Sequence, residues 1–137
     1  MTIFSTSWLR KGWASVERRV NRADTVLKIL LTSTSQYIPQ LLSTFETDDA
    51  FYMALNFIPG GDIYHHLSTN DAMMSDDGNR FYAAQICQAI RYLHSMSVIY
   101  RNLKPESVMI CQRGDIKLID FSISKVWLLY PHLPARL

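Results

Sequence analysis

Residues 98 to 120 constrain the fold more tightly than any other stretch of this 137-residue chain. Val98 to Tyr100 is apolar, residues 101 to 106 are polar loop, and Ser107 to Cys111 and Asp115 to Ile119 alternate on either side of Arg113-Gly114. A period-two alternation flanking a turn predicts a β-hairpin. Asp120 stands at the hairpin's exit, so a carboxylate follows directly on the second strand.

Ahead of it, Ser75-Asp76-Asp77 offers capping oxygens and N-terminal negative charge, and Tyr82, Ile86, Ile90 and Leu93 recur at helical spacing. These signals predict a long buried helix ending near Ser95. Val16, Val20, Ala23, Val26, Leu27, Leu30 and Leu31 mark an amphipathic helix over residues 14 to 31, broken by Ser33-Thr34-Ser35. Ile38 to Glu46 and Ala50 to Phe57 read as a strand pair joined by the polar turn Thr47-Asp48-Asp49. Pro59-Gly60-Gly61 stops the second strand, and a short helix is expected after Asp62. The class is α+β.

With 48% hydrophobic and 19% charged residues, the composition is that of one globular domain. A net charge of +2 gives no ground for a nucleic-acid partner. Arg10, Lys11, Arg18, Arg19 and Arg22 cluster against Glu17 near the start, which fits a solvated helix face better than an organellar presequence. No stretch reaches the roughly 18 uninterrupted apolar residues of a membrane span. Cys87 and Cys111 lack metal-ligand spacing and are expected as buried reduced thiols, which suits the cytosol.

Several motifs then stand in one order: Phe51-Tyr52-Met53, Phe57-Ile58-Pro59-Gly60-Gly61-Asp62, Arg80-Phe81-Tyr82-Ala83-Ala84-Gln85-Ile86, Tyr92-Leu93-His94-Ser95, Tyr100-Arg101-Asn102-Leu103-Lys104-Pro105-Glu106-Ser107 and Ile119-Asp120-Phe121-Ser122. From about residue 14 to residue 126 the chain resembles the middle of a serine/threonine protein kinase, in the AGC-type branch of cyclic-nucleotide-dependent and Rho-effector kinases. The Rho-effector likeness lies in Ser33 to Leu41. Residues 1 to 13 and 127 to 137 diverge. The resemblance implies a partial kinase fold: helix C, the end of the small-lobe sheet, the hinge, and the first half of the helical large lobe with its catalytic-loop hairpin.

The same resemblance assigns roles. The family uses ATP and Mg2+. Leu55 would be the gatekeeper of the adenine pocket, and Asn56, Phe57 and Ile58 the hinge. Asp62 would lie near the ribose, or simply cap the next helix. Lys104 would contact the transferring phosphate, Arg101 the activation segment, and Asp120 the magnesium. Three positions depart from the pattern: Asn102 replaces the catalytic Asp, Ser107 the metal-binding Asn, and Ser122 the Gly after Asp-Phe. An amide cannot accept the substrate's proton, a loss that typically costs about 10²–10⁴ in rate. Ser107 would reach a metal only through a bridging water, and Ser122 adds a Cβ where Gly gives backbone freedom.

Neither a Gly-rich loop nor a Val-Ala-x-Lys-like strand is found before residue 14, and no Glu lies between Arg18 and Phe45 to pair such a lysine. The expectation is a pseudokinase that binds nucleotide weakly or not at all and acts through a protein partner at uncovered apolar surface, with neither nucleic acid nor membrane involved. The alternatives are a fragment of an ATP-dependent kinase active at full length, a gene fragment without independent function, and an unrelated binding module.

Overall fold

The computed structural model describes residues 4–5, 9–10, 16–47, 50–69 and 75–127. In chain order these form β1 (Phe4–Ser5), β2 (Leu9–Arg10), α1 (Val16–Thr32), β3 (Leu41–Glu46), β4 (Ala50–Leu55), α2 (Ile63–Ser68), α3 (Asp76–Ser95), β5 (Val98–Ile99), a 3-10 turn (Pro105–Ser107), β6 (Val108–Ile110), β7 (Ile116–Leu118) and β8 (Lys125–Val126). The α+β class holds.

β4 is the centre of the first sheet, antiparallel to β3 along one edge and to β1 and β2 at its two ends along the other. Its Met53, Ala54 and Leu55 are buried, whereas β3 is exposed beyond Leu41 and is the solvated edge. Phe45 of β3 stacks on its register partner Tyr52, ring centroids 4.8 Å apart and nearly parallel. Such cross-strand aromatic pairs stabilise an edge strand beyond its backbone ladder.

α3 begins where its caps dictate: the Ser75 hydroxyl accepts from the Gly78 N–H at 3.2 Å, and Asp76 and Asp77 sit in the positive first turn. It ends at Met96-Ser97, where Ser97 takes a left-handed φ of 59° and its N–H returns to the His94 carbonyl. β6 and β7 form the hairpin anticipated around Arg113-Gly114, pairing Val108 with Leu118 and Ile110 with Ile116. These four side chains join Ile29 of α1, Met53 of β4, Leu93 of α3 and Phe121 in one continuous core.

Several sequence expectations are corrected. The strand expected over residues 38 to 46 starts at Leu41, because Ile38 closes a turn onto Ser35, Pro39 has no N–H, and the Gln40 N–H is taken by the Asn56 side chain. β4 stops at Leu55, two residues early, since Asn56 turns its N–H to Gln40. On α3 the fully buried line is Tyr82, Gln85, Ala89 and Leu93, with Ile86 and Ile90 at its flanks. Gln85 is inside because its Oε1 accepts the Ile116 N–H at 3.1 Å. Leu31, expected on the apolar face of α1, is exposed. Cys87 is an exposed thiol and Cys111 half-buried, against the expected burial. β1 and β2 lie in the divergent stretch of residues 1 to 13, for which no strand was singled out. Asp48 and Asp49 of the expected turn, and residues 128 to 137 of the divergent tail, lie outside the described residues.

The linker leaving β4 docks on the hairpin: Gly60 N–H donates to the Ile110 carbonyl at 2.9 Å, and Ile110 N–H to the Gly61 carbonyl at 2.8 Å. A Cβ at residue 60 would stand 2.3 Å from the Ile110 oxygen. Gly60→Ala should therefore lower unfolding stability by about 1–3 kcal/mol, read as a shift of the urea midpoint, since backbone cannot yield as a flexible side chain can.

Candidate functional site

The loop between β5 and β6 is fixed from beneath by Tyr100. Its ring is buried and meets Phe121 edge to face at 5.3 Å, and its hydroxyl donates to the Ile119 carbonyl. Burial, and secondarily the negative charge of Asp120, push the phenol up to about 12, so it stays a neutral donor. The Ser124 hydroxyl donates to the Tyr100 carbonyl at 3.0 Å, and the Arg101 Nε donates to the Ile123 carbonyl at 2.7 Å. Two segments distant in sequence, 100 to 107 and 119 to 124, are thereby held face to face. Each contributes a residue with left-handed backbone, Arg101 at φ 62° and Asp120 at φ 57°. Such non-glycine conformations cost on the order of 1 kcal/mol or more and persist where surrounding contacts over-determine them.

Ser107 organises the loop from inside. Its hydroxyl lies 2.7 and 2.8 Å from the Asn102 and Lys104 carbonyls, which share its single hydrogen, and accepts the Lys104 N–H at 3.1 Å. At 1% exposure it is a structural bracket directed into the loop. The water-bridged metal contact anticipated for Ser107 is not what this geometry favours.

Asn102 and Asp120 face each other across the site. The Asn102 Nδ2 donates to Asp120 Oδ2 at 2.8 Å and to the Asp120 carbonyl at 3.1 Å. Two acceptors fix which end of the amide points inward. On the other side, the Ser122 hydroxyl donates to Asp120 Oδ1 at 2.5 Å and the Ser122 N–H at 3.3 Å. Ser122 avoids the left-handed region, so its Cβ carries no backbone strain. Partial burial alone would raise the Asp120 carboxyl. The hydrogen bonds from Ser122 and Asn102 and the charge of Lys104 outweigh it and hold the group below its ordinary value.

Beside these groups lies a cleft of about 200 Å³ lined by Pro39, Leu55, Asn56, Phe57, Ile58, Met109 and Ile119. Leu55, Asn56, Phe57 and Ile58, assigned to a base pocket from the sequence, are thus brought together in one place. The lining is largely apolar, which suits a flat heteroaromatic base. Asp62 is not among the lining residues: it caps α2, its Oδ1 accepting the His65 N–H at 2.8 Å, and bridges through the backbone to Met109, which is. That is the capping role kept open for it. Among the described residues, no three His, Cys, Asp or Glu side chains gather into a group that could hold a metal.

Three lining residues, Pro39, Met109 and Ile119, were not singled out from the sequence. The signal for two of them was present. In a hairpin whose even residues Val108, Ile110, Ile116 and Leu118 fill the core, the odd residues face the other way. The donor role of Ser122 carried no such signal, because it depends on the left-handed turn at Asp120.

Against known proteins, the family description "protein kinase domain" matches residues 11–131. The serine/threonine-protein kinase nrc-2 of Neurospora crassa is 38% identical over 124 residues, covering 90% of this chain and 20% of that protein. Human ribosomal protein S6 kinase alpha-3 is 35% identical over 123 residues, covering 90% of this chain and 16% of its own length. Protein kinase 2 of Dictyostelium discoideum is 34% identical over 123 residues, 90% of this chain and 26% of that protein. The chain therefore spans about a quarter or less of each of these relatives.

The Asp120 hydrogen bonds predict a pH effect. A carboxyl held below its ordinary value of 3.8 in the folded state contributes stability that is complete above that value. That contribution is lost as the pH falls through the lower folded-state value. Urea unfolding followed from about pH 6 to about pH 2 should show this acid-limb loss, and Asp120→Asn should flatten that part of the curve.

Proposed function

The chain belongs to the protein kinase family, with serine/threonine kinases as its relatives, and from that premise we propose that it is a pseudokinase segment that binds and does not transfer phosphate. One observation carries the reading: the residue facing Asp120 is Asn102, whose amide donates its hydrogens toward the site. Phosphoryl transfer to a hydroxyl needs a group there that orients the nucleophile and accepts its proton. The Asn102 amide offers N–H where a carboxylate would offer lone pairs.

The family generally uses ATP and Mg2+. The apolar cleft fits the base of such a nucleotide, and Leu55 to Ile58 would hold it, with Lys104 placed to meet a phosphate. The residues around Asp120 do not fit the metal, since protein donors already face both carboxylate oxygens. Weak nucleotide binding follows, dominated by the base. The partner of such a module is a protein, met through the exposed apolar side chains Leu103, Ile123, Val126 and Trp127 on two adjoining segments. The cytosol is the compartment that suits its free thiols.

A second reading is favoured by the survival of Arg101, Lys104 and Asp120 beside a formed cleft: a fragment of an ATP-dependent kinase that retains some phosphoryl transfer. The two readings part on activity. Incubated with radiolabelled ATP, Mg2+ and a serine-containing peptide, the chain should transfer no label above a protein-free control. Mg2+-dependent transfer would establish the second reading.

A further inference from the structure

The Asp120 carboxylate is answered by the protein on both of its oxygens. Oδ2 receives the Asn102 amide at 2.8 Å; Oδ1 receives the Ser122 hydroxyl at 2.5 Å and the Ser122 N–H at 3.3 Å. A divalent cation requires oxygen lone pairs directed at it, held at short and regular distances. Here hydrogens already take three of the carboxylate's roughly four lone-pair directions, so no pair of oxygens is left open to a cation. The Asn102 amide cannot simply turn over to present its oxygen, because its nitrogen also serves the Asp120 carbonyl at 3.1 Å, and reversal would set oxygen against oxygen twice. Ser107, which stands where the family's pattern has its metal-binding Asn, is bracketed inside its loop.

We propose that Asn102 and Ser122 together form a neutral clamp that takes the place of a divalent cation at Asp120, so that ligand binding in the adjoining cleft is independent of metal. Two of the three residues that break the family's pattern at the sequence level have side chains that reach the carboxylate from opposite sides. Each supplies hydrogens that the replaced residue could not: an aspartate at 102 has no amide, and a glycine at 122 no hydroxyl. The clamp is thus a single device made of two substitutions. It deepens the pseudokinase reading and rests on it, and it makes a claim about metal that phosphoryl-transfer assays do not address.

The test is Mn2+ binding to the full chain, followed by the loss of the free-ion electron paramagnetic resonance signal, with no nucleotide turnover in the readout. The native chain should show no saturable binding at millimolar Mn2+. The double variant Asn102→Asp/Ser122→Gly should bind at least about tenfold more tightly, the scale set by releasing charge-assisted hydrogen bonds. Thermal unfolding gives the second arm. The double variant places one carboxylate against another, so it should melt below the native chain in EDTA and recover in Mn2+, whereas the native melting temperature should be the same in both. Ser122→Gly alone, a change at an exposed position, should bind Mn2+ with intermediate affinity and guards against misfolding of the double variant. Equal Mn2+ affinity in native and double variant overturns the proposal, and so does failure of all variants to bind, because the clamp would then not be what keeps the cation out.

Discussion

The β6–β7 hairpin is the piece on which the rest of the molecule leans, because its backbone and side chains are hydrogen-bonded to four separate parts of the chain. Ile110 exchanges hydrogen bonds with Gly60 and Gly61 of the linker after β4. Leu118 N–H reaches the Tyr37 carbonyl, and Lys117 Nζ the carbonyls of Gln36 and Ile38, tying down the connection between α1 and β3. Ile116 N–H is answered by Gln85 of α3, and Ile119 N–H by the Ser107 carbonyl of the polar loop. A short hairpin is marginal by itself in water. This one is held by what surrounds it, and it holds the walls of the cleft in return.

That arrangement separates scaffold from chemistry. Tyr100, Ser107, Ser124 and Arg101 spend their polar atoms on backbone carbonyls, so the loop keeps its shape from contacts internal to the protein. Lys117 shows the same economy: burial lowers its pKa, yet two carbonyls receive its ammonium and keep a half-buried cation satisfied. The loop can therefore keep its shape while side chains such as Asn102 and Ser122 vary in chemistry. Shape is stored in the backbone network; proton acceptance and metal ligation are stored in single side chains.

This division also explains what could be read from the sequence. The bounds of α3 were legible because Ser75, Asp76 and Asp77 are local capping signals, and the hairpin because alternation around Arg113-Gly114 is local too. Leu55 to Ile58 fell together at the cleft because they are consecutive, running from the last residue of β4 into the linker that leaves it. The start of β3 was not legible, since it depends on Asn56 reaching across sixteen residues to the Gln40 N–H. Gln85 was passed over in favour of Ile86 because helical periodicity ranks apolar side chains, whereas the position needed an acceptor for the Ile116 N–H. The pairing of Asn102 and Ser122 on one carboxylate was hidden for the same reason: it arises from the left-handed turn at Asp120, which no pattern in the residues announces.

The substitution at 102 looks, by residue type alone, like the removal of one charge. In place it is a change from repulsion to attraction. A carboxylate at 102, with the reach of the present amide, would stand within hydrogen-bonding distance of Asp120 Oδ2 with no proton between them. Two such groups ionise together only if a cation or additional donors intervene. Exchanging one oxygen for NH2 removes the conflict and turns it into a hydrogen bond to a charged acceptor, among the stronger kinds available to a protein. Asn102 and the Ser122 hydroxyl therefore favour the folded loop without help from a ligand, while an aspartate-bearing loop would depend on one. The two residues that depart from the family's pattern beside the carboxylate are the ones that answer it from within the chain.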